Sequence, residues 1–141
     1  MKTRQKGTAI VEFALILPLL LLLTMITTEF GRAIYQYNTI VKSVRNATRY
    51  LSLQTSNTKL TEAKNLVVFG NIAGTAPALV PGLTVAQVAT TWQTFGSAPL
   101  INTVKITVTG YTFRSMFTSV FGVTFGDKIF ADISATMRAP S

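Results

Sequence analysis

The sequence predicts an α+β protein in which a long N-terminal helix covers one face of a small antiparallel sheet. Three observations predict it. Between Gly7 and Thr28 the only charge is Glu12, and this window of 22 residues would span about 33 Å as a helix, enough for a hydrocarbon core of roughly 30 Å. The chain then runs on to about Leu53 as an amphipathic stretch with no obvious break. Near the C-terminus, residues 102–113 and 128–138 alternate apolar and polar side chains with the period of two that marks half-buried strands. Two such strands need a helix over their apolar face, and the outer half of the long helix is the only large amphipathic surface available.

Residues 1–7 (MKTRQKG) form a short basic leader; Lys2, Arg4 and Lys6 are three of the thirteen cations. Their charge keeps the N-terminus in the cytoplasm and sends the C-terminal body across the membrane. A cleaved secretory signal would show a small-x-small site after the apolar core, whereas ITTEFGR reads as the membrane edge of a continuing helix. Residues 8–28 are the expected transmembrane helix. Glu12 lies at its cytoplasmic edge, where a carboxylate is tolerable but asks for a partner. A cut after Gly7 would supply one in the new amino group of Thr8, from the same chain or a neighbour's; a plain interfacial polar residue is the other reading. Pro18 removes one backbone donor and crowds the carbonyl of Ala14, which predicts a kink or loosened turn.

Residues 29–53 continue the helix outside the membrane. Phe30, Ile34, Tyr37, Val41, Val44, Thr48 and Leu51 fall at alternating spacings of four and three and predict the buried stripe, with Arg32, Lys42, Arg45 and Arg49 off it. Glu29 and Arg32 can pair at i,i+3. From Thr8 to Leu53 the helix would be about 70 Å long.

Residues 54–141 make up a small exported α+β domain. QTSNTK (54–59) is the first convincing break, with Asn57 or Thr58 able to cap a short helix that carries Leu60, Ala63 and Val67 on one side and ends at Gly70. NIAGTAPALVPG is a loop by its glycine and proline content. Residues 83–95 suit a strand by their valines, threonines and Trp92, or a turn of helix at AQVATTW. In the last part Val104, Ile106 and Val108 share one face, as do Ile129, Ala131, Ile133, Ala135 and Met137. FRSMFTSVFGVTFGDK between them forms a connecting arm or hairpin.

Composition closes off most chemistry. The chain has neither cysteine nor histidine, which removes thiol nucleophiles, Cys/His zinc sites and Ser-His-Asp triads. Its net charge of +8 is spread along the sequence rather than gathered on one face, as a nucleic-acid binder would need. The five acids, Glu12, Glu29, Glu62, Asp127 and Asp132, form no motivated two-carboxylate site, and GVTFG lacks the spacing of a phosphate or dinucleotide loop. No enzyme activity, cofactor, metal or nucleic-acid partner is expected.

K-G-T-A-I-V-E-F, with Gly7, Glu12 and Phe13 so spaced, resembles the prepilin-peptidase processing site of type IV pilin-like proteins. The wider pattern, continuing EFALILPLLLLL, then Glu29-Phe30-Gly31-Arg32 and Ala47, Arg49 and Tyr50, is similar to the TadE-like family of tight-adherence (Flp) pilus assembly. That resemblance implies a pilin-like fold and a pseudopilin or minor pilin, single-pass in the bacterial inner membrane with its domain extracytoplasmic. Gly7 would be the last leader residue, Thr8 the mature N-terminus, and Glu12 the counter-charge to that amine or a neighbour's. Helix packing and assembly would fall to the stretch from Phe13 to Ile26, with Ala14 and with Pro18 setting a bend, and to Glu29, Gly31 and Arg32. The implied partners are a prepilin peptidase, other pilin-like subunits, the pilus assembly platform and the lipid bilayer. An uncut single-pass scaffold of the cell envelope is the alternative.

Overall fold

The computed structural model describes residues 6–139 and has the predicted α+β architecture. Most of the basic leader, residues 1–5, and the last two residues lie outside the described part. Helix α1 (Lys6–Leu51, 46 residues) is continuous through Pro18 and about 69 Å long. It begins two residues before Thr8 and ends two short of Leu53. Helix α2 (Leu60–Phe69) follows a turn and packs on α1 through Ala63, Val67 and Val68. Its cap differs from expectation: Lys59, in the left-handed region at φ 57°, occupies the N-cap position without a side-chain cap. Lys59 Nζ instead pairs with Glu62 at 2.8 Å. Gly70 ends the helix as expected, at φ 73° with its N–H on the Leu66 carbonyl.

A 3₁₀ turn at Val85–Gln87 leads into strand β1 (Val88–Phe95), so the ambiguous segment contains both a helical turn and a strand. Strand β2 (Ile101–Val108) returns antiparallel to it, and β7 (Ile133–Ala139) pairs with the other side of β2. The register aligns three core-facing rows: Val88, Val108 and Ile133; Thr90, Ile106 and Ala135; Trp92, Val104 and Met137. Cross-strand neighbours of this kind are what hold a small sheet together. Helix α1 lies against β2 and β7, and the resulting core joins Ile40, Val44, Ala47 and Leu51 to Val104, Ile106 and Val108.

Between β2 and β7 the chain makes an excursion, residues 109–132. Strands β3 (Thr112–Phe113) and β6 (Lys128–Ile129) pair at its base, and β4 (Ser119–Val120) and β5 (Val123–Thr124) form a hairpin at its end. This is the expected connecting arm. It splits the last predicted strand in two: Ile129 belongs to the arm and is 73% exposed, and Ala131 is exposed too, so the inward alternation starts only at Ile133.

The outer half of α1 corrects the first part of the expected stripe, from Phe30 to Val41. Phe30, Ile34 and Tyr37 are exposed, and Val41 is only half-buried. Val44, Thr48 and Leu51 are buried as expected, and the rest of the buried face is made by Glu29, Gln36, Ile40, Ser43 and Ala47. Polar members sit there because the helix and the domain satisfy them. Ser43 Oγ donates to the Ile40 carbonyl and Thr48 Oγ1 to the Val44 carbonyl, so neither leaves an unpaired group in the core.

Candidate functional site

Two groups of residues on α1 are candidates, separated by the 17 steps from Glu12 to Glu29, about 25 Å along the helix. The inner group is the beginning of the apolar segment. From residue 7 to 28 the helix touches little else: Ile10, Val11, Phe13, Leu15, Leu19 and Leu23 are each 59–75% exposed. An apolar helix bare on all sides has no stable place in water and is covered by lipid or by other helices. The segment is long and apolar enough to cross a membrane.

Gly7 stands in the first turn of α1, where the backbone N–H groups have no intrahelical acceptor and the chain is most easily opened. A Cβ added at Gly7 would meet nothing within 4 Å, so packing within the described chain does not require glycine there. Glu12 is exposed and, among the described residues, has no ion pair in its own chain. Phe13 is 60% exposed and Ala14 is exposed, while Pro18 is half-buried.

The outer group surrounds Glu29, which is 7% exposed. Arg32 Nη1 donates to Glu29 Oε2 at 2.7 Å, and the backbone N–H of Met116 in the arm donates to Oε1 at 2.7 Å. Burial works against the charged carboxylate, but the Ser115 hydroxyl, the Met116 amide and the Arg32 guanidinium outweigh it and hold its pKa below the ordinary range. The expected i,i+3 pair is thus present, and it also anchors a segment 87 residues away in sequence. Arg32 lies over the Phe113 ring at 5.4 Å. One turn further, Gln36 Oε1 and the Pro81 carbonyl are the acceptors of the Tyr111 hydroxyl, at 2.8 and 3.0 Å; burial pushes the Tyr111 pKa up, with Arg32 opposing it. Phe130 stacks on Phe113, meets Tyr37 edge-on and lies tilted against Tyr111.

Of the predicted assembly residues, Glu29 and Arg32 therefore serve the domain's own fold. Gly31 does not: it is exposed, and a Cβ there would also meet nothing within 4 Å. Gln36, Tyr111 and the Met116 amide were not singled out from the sequence. A signal for them exists in the polar side chains Glu29, Gln36 and Ser43, seven residues apart on one helix face.

The molecule is thus a small α+β domain carried on a helix whose inner half is bare and membrane-compatible. Residues 7–49 match the family model described as TadE-like protein. The matched stretch takes in nearly all of α1 and none of the sheet. No curated protein and no solved structure matches the chain.

Proposed function

We propose that the chain is a pseudopilin or minor pilin in the assembly of tight-adherence pili. Residues 1–7 are a leader removed by a prepilin peptidase, 8–28 cross the inner membrane, 29–53 carry the helix outward, and 54–141 form an extracytoplasmic domain. The observation that carries this reading is the start of α1. Among the described residues, a glycine that no contact demands and a carboxylate without an ion pair stand together at the head of an uncovered apolar helix. Both make sense if the partners come from outside, a peptidase for Gly7 and a neighbouring subunit's amino group for Glu12. The match to the TadE-like model over the same residues supports it.

The intact mass of the protein from membranes of a host with an active prepilin peptidase tests the reading. The wild-type chain should begin at Thr8. Gly7→Ala should retain the leader, because the added methyl group meets the peptidase and not the fold. Glu12→Ala should be processed, yet enter assemblies about tenfold less or worse. An amine left without its counter-charge in an apolar assembly costs more than the ~1.4 kcal/mol that corresponds to tenfold. A wild-type chain that keeps Met1 to Gly7 in such a host would leave an uncut single-pass scaffold of the envelope instead.

Gly31 offers a second test. Gly31→Ala should raise the stability of the isolated subunit by up to about 1 kcal/mol, since a helix-interior glycine is the weaker helix former and no neighbour obstructs the methyl group. The same change should reduce incorporation into assemblies by crowding an approaching helix. Unaltered incorporation would exclude Gly31 from the subunit interface.

A further inference from the structure

The arm between β2 and β7 carries apolar surface that the packing of the domain does not use. Met116, Phe121, Val123 and Ile129 are exposed by 66, 64, 40 and 73%. Phe121 and Gly122 form the turn of the β4–β5 hairpin, at φ 49° and 82°. A two-residue turn with both central residues at positive φ is ordinarily built from asparagine–glycine or aspartate–glycine. A phenylalanine there places a bulky side chain on backbone it rarely adopts, and the fold gains no buried ring in return. Such a strained choice at an exposed tip points to a role outside the domain's own core.

The position of the arm indicates what covers it. Its Met116 amide is held by Glu29, the first residue after the apolar span. A groove of about 350 Å³ separates arm and helix, lined by Ile26, Phe30 and Ala33 on one side and Phe113, Phe125 and Phe130 on the other. Ile26 belongs to the last turn of the span, so the arm reaches down to the level where the bare helix begins. The apolar surface is continuous across that boundary, from Phe30 (67% exposed) to Ile26 (40%) and Leu23 (59%). Arg114 and Lys128 are exposed at the arm's base. Aromatic and apolar groups with adjoining cations, set at the end of a spanning helix, have the composition of an interfacial anchor.

We propose that the arm is seated in the outer interfacial layer of the bilayer that α1 crosses, with Phe121 and Met116 at the acyl boundary and Arg114 and Lys128 toward the lipid phosphates. The proposal rests on the membrane reading of α1. It makes the domain a body fixed at two points on the membrane surface rather than one swinging on a single helix. Continuity with the lipid-facing span selects the bilayer over a second protein as the occupant.

The chain has no cysteine, so single cysteines can carry an environment-sensitive fluorophore in the full-length protein, one copy per lipid nanodisc. Three positions suffice: Val123→Cys beside the hairpin turn, Leu15→Cys within the span, and Phe95→Cys at the opposite end of β1 from the arm. With brominated acyl chains in the disc, the labels at 15 and 123 should be quenched several-fold more than the label at 95. Adding Phe121→Asn, which suits the left-handed turn, should leave the fold intact and bring quenching at 123 down toward that at 95. A label at 123 quenched no more than the one at 95, while that at 15 is strongly quenched, would overturn the proposal and leave the anchor standing. So would a blue-shifted label at 123 that bromine does not reach, which would give the surface to protein. An unquenched label at 15 would remove the membrane reading itself and the proposal with it.

Discussion

Ile40→Ala should cost the domain about 2–5 kcal/mol, the range for an aliphatic side chain truncated inside a core that cannot fully collapse around the gap. Ile40 is 0% exposed, in the cluster that joins α1 to the sheet. A domain of this size has a total stability of about 5–15 kcal/mol, so the loss takes a large part of it. Ile34→Ala should by contrast stay within about 0.5 kcal/mol, since Ile34 is 45% exposed and leaves no cavity. Denaturant unfolding of the full chain in nanodiscs, followed through the single tryptophan, Trp92 of β1, would measure both. The reverse order, a silent Ile40 and a costly Ile34, would restore the helix phase expected from hydrophobic spacing.

That pair of substitutions isolates why part of the fold was legible and part was not. The span, the length of α1, the fold class and strands β2 and β7 followed from patterns strong enough to survive without tertiary information: an apolar run and clean alternation. The stripe held at Val44, Thr48 and Leu51 but failed nearer the apolar segment, because hydrophobic spacing counted Phe30, Ile34 and Tyr37 inward and could not credit Glu29, Gln36 and Ser43. Those three are polar, and only their partners make them admissible in a core: Arg32 and the Met116 amide, the Tyr111 hydroxyl, and the helix's own carbonyl. Two of these partners lie more than seventy residues away. The strand break at Phe130 was hidden for a similar reason. Ile129 alternates correctly, yet Phe130 turns into the aromatic group around Tyr111, and the register restarts after it.

The candidate site divides along the same line. Gly7, Thr8, Glu12 and Phe13 were singled out by their spacing along one strip of chain, and the roles given to them belong to the proposal above. The structure adds that, among the described residues, no contact requires glycine at position 7. Gly31 and Arg32 were grouped together from the sequence, but the structure separates them: Arg32 is bound into the Glu29 network, while Gly31 faces outward with free space above it. The same long helix thus presents two kinds of surface. One face is committed to its own domain, and the bare inner half together with Gly31 is not.

Glu29→Ala should release the arm. The Met116 amide would lose its acceptor and the Arg32 guanidinium its counter-charge, a loss of about 2 kcal/mol for hydrogen bonds to a charged group. The Arg32 pairing supplies only a few tenths of that, because its side chain is 31% exposed and screened by solvent. Glu29→Gln, which keeps one acceptor oxygen, should cost less than alanine. The pH dependence follows from the lowered pKa. The unfolded carboxyl takes up a proton near its ordinary value of 4.5 and the folded one only below it, so the network's contribution is fully present above that value. It is lost as the pH falls through the lower, folded pKa. The stability gap between wild type and Glu29→Gln should therefore be constant from neutral pH down to about 5 and close at more acid pH. The protection factor of the Met116 amide, its exchange rate taken relative to the intrinsic rate at each pH, should follow it, low in the alanine variant at all pH values and falling in the wild type only in acid. A gap that does not change with pH would mean that the buried carboxylate binds the arm no better charged than neutral, and the clasp at Glu29 would then be one of shape alone.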